Sequence, residues 1–146
     1  MRRVRPLEAG AAQVLSRGYA RSPTFRALVD ALEASNVIVH VEQLEPRPGR
    51  VAGAMRFIAS TPDYRYLRIS LYARLPPDDS VALLGHELQH AVEVARTGWV
   101  VDSQSCAALY QAIGHPSCNT PGACFDTAEA VQAGRQVARE LQRQGD

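Results

Sequence analysis

In the stretch Gly85-His86-Glu87-Leu88-Gln89-His90, two histidines stand four positions apart, with a glutamate directly after the first. On a helix this spacing puts both imidazoles on one face, about one turn apart, where they can reach a single metal ion. The ion this pairing suits is Zn2+, with Glu87 addressing a metal-bound water as general base. Bound zinc lowers the pKa of that water toward about 7, which makes hydroxide available near neutral pH. The competing reading is a pair of histidines with core or surface roles on an unrelated helix. Against it, the surrounding helix is apolar, and two imidazoles and a carboxylate are costly there unless they share a partner. Glu93 lies on the same face, but three ligands up one straight helix converge poorly on one ion. Glu93 therefore reads as an acceptor for a histidine N–H, or as part of a salt bridge.

The helix that carries the motif follows Pro76-Pro77, with Asp78 or Asp79 as its cap, and runs to about Arg96 before Gly98 ends it. Its apolar residues fall on all sides, which marks a buried central helix. Upstream, Ser22 and Pro23 form an N-cap and first helical position, and Phe25, Leu28, Val29 and Leu32 recur at helical spacing up to about Asn36. Val37 to Val41 is short and β-branched, Val51 to Ala59 alternates weakly, and Tyr64 to Tyr72 alternates clearly, so each is predicted to be a strand. Strands at this spacing suggest an antiparallel meander with one face on a helix layer. Downstream, Asp102 caps a helix that Gly114 and Pro116 stop, a cysteine-bearing loop follows, and a last helix runs from near Asp126 to about Arg143. Residues 1–21 are polar and broken by Pro6 and Gly10, so they are expected to be a peripheral segment, with residues 22–146 as a single domain.

The chain of 146 residues is 46% hydrophobic and 21% charged, enough apolar material for one core. A net charge of +1 offers no global field for nucleic acid or an anionic membrane, and neither is expected as a partner. No apolar run approaches the roughly 20 residues of a membrane span. No secretory signal is read, which fits a cytoplasmic protein or a secreted form with its signal removed. Of the cysteines, Cys118 and Cys124 flank a turn-rich loop that can close a disulfide, with Cys106 left over; three unpaired thiols are the equal alternative.

The run Leu83-Leu84-Gly85-His86-Glu87-Leu88-Gln89-His90-Ala91-Val92-Glu93 resembles the active-site helix of short bacterial zincin-like proteins of the gluzincin type, mostly uncharacterised. The resemblance extends to Tyr66-Leu67-Arg68-Ile69 and to Asp126-Thr127-Ala128 followed by Val137 to Leu141, so it covers much of residues 24–143, although HELQH alone is a specific motif. It implies an edge strand above the zinc helix that binds substrate in extended form, here around Arg65 to Leu71. It also implies a third, carboxylate ligand from a later helix. A metzincin would need a histidine after His90 at a fixed place, and residues 91–99 contain none.

Asp126 and Glu129 are the candidates for that third ligand. On a helical wheel Asp126 borders the apolar face that holds Ala130, Val131, Gly134, Val137, Ala138 and Leu141, while Glu129 falls on the opposite face, so Asp126 is preferred. The resembling proteins usually carry a glutamate before the threonine, and the shorter aspartate departs from that pattern. A capping box, with Asp126 at N-cap and Glu129 three residues on, would explain both acids without metal. A peptidase also needs a donor for the oxyanion, for which Tyr110, His115 and Tyr72 are candidates.

The expectation is thus an α+β, minimal zincin-like domain. A small antiparallel sheet of about three strands packs on the central zinc helix, with further C-terminal helices. The function expected is zinc-dependent hydrolysis of a peptide or protein substrate. The alternatives are a non-enzymatic zinc-binding module acting in protein interaction, favoured by the little chain left to build a cleft, and an interaction domain without metal.

Overall fold

Alternation of apolar residues decides which face of the sheet is covered. In strands β2 (Val37–Gln43) and β4 (Arg65–Leu71), Val37, Val39, Val41, Leu67, Ile69 and Leu71 are all buried on one face, and Phe57 of β3 (Gly53–Ser60) joins them. Helices α1 (Ala9–Arg21), α2 (Pro23–Glu33) and α3 (Pro77–Ala95) supply the other half of this core through Leu15, Phe25, Leu32, Leu84 and Leu88. Helices α4 (Ser103–Ile113) and α5 (Ala128–Gly145) follow, separated by a two-stranded ladder of β5 (His115–Pro116) and β6 (Phe125–Asp126). This computed structural model describes residues 2–46, 48, 51–116 and 125–145. Cys118 and Cys124 lie outside the described residues, and so does the bridge expected between them. Cys106 is a buried free thiol.

The protein is α+β, but its sheet is mixed rather than an antiparallel meander. Strand β1 (Val4–Pro6) pairs parallel with β2, β2 parallel with β4, and β4 antiparallel with β3, giving the order β1-β2-β4-β3. The tight turn at Thr61 to Tyr64, closed by Thr61 N–H donating to the Tyr64 carbonyl at 2.8 Å, commits β3 and β4 to each other. The connection between β2 and β3 is longer, and the two strands are not neighbours in the sheet. β3 becomes an edge, and β4 is paired on both sides.

Residues 1–21 are not peripheral. Val4 is fully buried beside Val39, and Ala11, Val14 and Leu15 of α1 enter the core. Pro6 is tolerated because it ends an edge strand, where its missing N–H takes nothing from the ladder. Glu8 caps α1 by accepting from Ala11 N–H at 3.0 Å, and it accepts from Gln43 N–H at 3.0 Å, which fastens the helix to β2. Gly18 is a contact position: a Cβ there would meet the Phe25 ring at 2.7 Å.

Ser22 and Pro23 open α2 as expected, with Ser22 Oγ accepting from Phe25 N–H at 3.0 Å. Glu140 of α5 accepts from Ser22 Oγ at 2.6 Å, Thr24 N–H at 2.9 Å and Thr24 Oγ1 at 2.8 Å, so α5 is pinned to the start of α2. At the far end of α3, the buried Arg65 guanidinium donates to the carbonyls of Val94, Ala95, Thr97 and Val100 at 2.9–3.1 Å, and to Asn36 Oδ1. A cation thus sits at the C-terminal end of the helix, where the dipole favours positive charge, and supplies a donor for the carbonyls of Ala95 and Val100. Helices α3 and α5 approach closely where glycines face the partner helix. A Cβ on Gly85 would meet Val137 Cγ2 at 3.0 Å, and one on Gly134 would meet His86 Cβ at 3.3 Å.

Candidate metal centre

His86 and His90, on successive turns of α3, bring their rings within 5.1 Å of each other at an interplanar angle of 74°. Asp126 meets them from β6: its Oδ1 lies 3.0 Å from His86 Nε2 and 3.1 Å from His90 Nε2. The three ligand atoms all fall within 4.8 Å of one another. These three residues could hold a metal ion, and two imidazoles with one carboxylate are a donor set of the kind that suits zinc.

The surroundings of His90 select its tautomer. His90 Nδ1 lies 2.8 Å from Glu93 Oε1, and Thr127 Oγ1 donates to Glu93 Oε2 at 2.6 Å. Burial pushes the Glu93 carboxyl up, but its hydrogen bonds with His90 and Thr127 outweigh that and hold it below the usual carboxylate range. An ionised Glu93 can only accept, so Nδ1 carries the proton and Nε2 is left to face Asp126. Burial opposes a charge on His90, yet the Glu93 hydrogen bond and the surrounding carboxylates raise its pKa; at His86 burial prevails and the pKa is lowered. Thr127 also caps α5, accepting from Ala130 N–H at 3.1 Å, so one hydroxyl ties the helix start to Glu93.

Asp126 owes its position to the β5–β6 ladder, in which it pairs with His115. Gly114 allows the chain to close there, since a Cβ would lie 2.6 Å from the Tyr110 carbonyl oxygen and 3.0 Å from that of Asp126. Asp126, preferred over Glu129 for its place at the border of the apolar face, thus joins the histidines, but it reaches them from a strand, ahead of the helix. The capping box is absent: Thr127 is the cap. Glu129 is exposed and takes no part in the cluster.

Glu87 is 6% exposed, and burial pushes its carboxyl up to about 7, with the charge on His90 pulling the other way. It faces a cavity of about 600 Å³ together with His86, His90 and Asp126. Residues 51–56, at the free edge of β3, form the opposite wall, and Leu83, Cys106, Tyr110 and Phe125 line the rest. A Cβ on Gly53 would lie 3.2 Å from Glu87 Oε1, so the edge strand touches the glutamate only because it carries glycine there. The strand expected at this edge, residues 65–71, has no free edge because both its sides are paired; β3 has taken its place.

The expected oxyanion donors are placed otherwise. Tyr110 lines the cavity, but its hydroxyl donates to the His90 carbonyl at 2.9 Å, and burial followed by the charge of Glu93 raises its pKa. His115 is exposed and does not line the cavity, and neither does Tyr72. The sequence assigned no role at the site to Thr127 or Gly134, and did not single out Gly53. The one available signal was Gly134, a glycine within the apolar stripe of a helix, which marks a close approach.

No protein-family model matches the chain, and neither a curated protein nor a solved structure matches it.

Proposed function

We propose that the protein is a zinc-dependent peptidase with a zincin-like, gluzincin-type site. The observation that carries this reading is the convergence of His86 Nε2, His90 Nε2 and Asp126 Oδ1 in the wall of a cavity that also holds the Glu87 carboxyl and the free edge of β3. His86, His90 and Asp126 would hold the ion, and Glu93 would orient His90. Zinc bound there would supply a Lewis acid for the scissile carbonyl and a water of lowered pKa. Glu87 takes the proton from the attacking water and later delivers it to the leaving amine. The unpaired N–H and C=O groups of β3 align an extended peptide across the cavity. A cavity of about 600 Å³ beside these residues supports this reading, since it gives a short chain room for a cleft.

One observation favours the alternative, a zinc-binding module without catalysis: the Tyr110 hydroxyl is engaged by the His90 carbonyl, and His115 lies away from the cavity. Hydrolysis of an unstructured protein by the zinc-loaded chain separates the readings. Glu87→Gln should hold zinc as the parent does, while hydrolysis falls by about 10²–10⁴-fold. Zinc binding without hydrolysis across a broad peptide library would establish the module. Absence of zinc by elemental analysis and on titration would sink both.

A further inference from the structure

The face of the sheet opposite the buried core carries a row of basic residues that the metal centre does not use. The strand register sets Arg5 opposite His40, His40 opposite Arg68, and Arg68 opposite Arg56. Directly opposed residues point to the same face, so each strand contributes one basic residue at the same level. With strands about 4.8 Å apart, the row is about 14 Å long. Like charges directly opposite one another are destabilising, as Arg68 and Arg56 are here, and a long ion pair of Arg68 with Glu42 offsets this only in part. Glu42 accepts from Ser70 Oγ at 2.9 Å and comes no nearer than 3.9 Å to Arg68. Arg5 and Arg56 are exposed, and the buried Nε of Arg68 meets no acceptor among the described residues. Burial, with the charges of Arg5 and Arg68, holds His40 below its ordinary pKa. The row also has a direction. It begins on the first strand and ends at Arg56, which borders the cavity beside the candidate metal centre.

We propose that this row is a docking strip for an acidic segment of the protein substrate, which crosses the outer face of the sheet and passes over Arg56 toward the cavity. The acidic segment is a substrate only on the peptidase reading; the strip itself needs only the complementarity of a carboxylate-rich chain with three arginines in register, and His40 between two of them. Several carboxylates laid on the row remove the repulsion along it, and an extended peptide suits a flat sheet face better than a compact partner does.

The test uses the zinc-loaded full chain and fluorescent unstructured peptides, one rich in Asp and Glu and one with Asn and Gln in their place. Anisotropy at low salt should show the acidic peptide binding, and Arg5→Glu with Arg56→Glu should weaken it about tenfold. Higher salt should erase the difference, because both sites are exposed. The double variant Arg5→Gln with Arg56→Gln should fall between, and its far-UV circular dichroism should match the parent. Substrates with acidic flanks should be cleaved with higher kcat/KM than neutral-flanked ones, and that ratio should approach one in the charge-reversed variant. Cleavage without any preference for acidic flanks would overturn the strip and leave the peptidase standing. Arginine-dependent binding of the acidic peptide without cleavage would support the strip and sink the peptidase. Tighter binding of a single-stranded oligonucleotide than of the acidic peptide would overturn the assignment to an acidic chain.

Discussion

Replacing Arg65 by methionine removes the clamp that joins β4 to the C-terminal end of α3. The side chain is 5% exposed and holds four backbone carbonyls, those of Val94, Ala95, Thr97 and Val100, besides Asn36 Oδ1. A buried carbonyl left without a donor costs about 1–3 kcal/mol. The carbonyls of Val94 and Thr97 keep backbone donors, Thr97 N–H and Val100 N–H, so those of Ala95 and Val100 are the ones that lose their donor. A net loss of about 2–4 kcal/mol is expected from those two carbonyls and the lost tie to Asn36. In a domain of this size that lowers Tm by about 10 °C. Arg65→Lys keeps a positive charge at the helix C-terminus but gathers three donors on one nitrogen, so it should recover part of the loss only. Urea unfolding followed by far-UV circular dichroism, run on parent and both variants, reads these differences directly. A loss below about 1 kcal/mol in Arg65→Met, within the range of an ordinary surface change, would refute the reasoning. So would an Arg65→Lys protein as stable as the parent, because the geometry of the fork would then be irrelevant.

Glu140 predicts a pH dependence. Burial would raise its carboxyl, but the hydroxyls of Ser22 and Thr24, the Thr24 N–H and Gln136 hold it down to about 2, below its ordinary 4.5. Its contribution is therefore full above about pH 4.5 and is lost as the pH falls through about 2. Because the group is only half-buried, that contribution is about 1–2 kcal/mol, less than the shift alone implies; Glu140→Gln should lose it at pH 7, and the gap from the parent should close toward pH 2 in denaturant titrations. At the metal centre, Asp126→Ala should weaken zinc binding far more than Glu129→Ala by competition with a chromogenic chelator. Equal affinities in Asp126→Ala and the parent would remove that residue from the site.

His86, Glu87 and His90 were legible in the sequence because helical spacing alone puts i and i+4 on one face, and a single α-helix needs no tertiary information to do so. The cap at Ser22, the three strands of residues 37–71 and the buried central helix were legible for the same local reasons. Residues 1–21 were not. Pro6 and Gly10 are breakers by propensity, and only the edge of a sheet at β1 and the docking of α1 make them harmless. Strand order was equally out of reach: alternation and β-branching mark β2, β3 and β4 as strands without saying which pairs with which, and the choice between a meander and a mixed sheet lies in the length of the connections and the closure of the Thr61 turn. That order decides which backbone lines the cavity, giving β3 the free edge and denying it to residues 65–71. Asp126 shows the division most clearly. Its residue type and its place before the last helix are matters of sequence. Its 3.0 and 3.1 Å approaches to the two histidines depend on the β5–β6 ladder and on the glycines that let α5 lie against α3. Periodicity places side chains around one element, whereas a site built from two elements needs the packing between them.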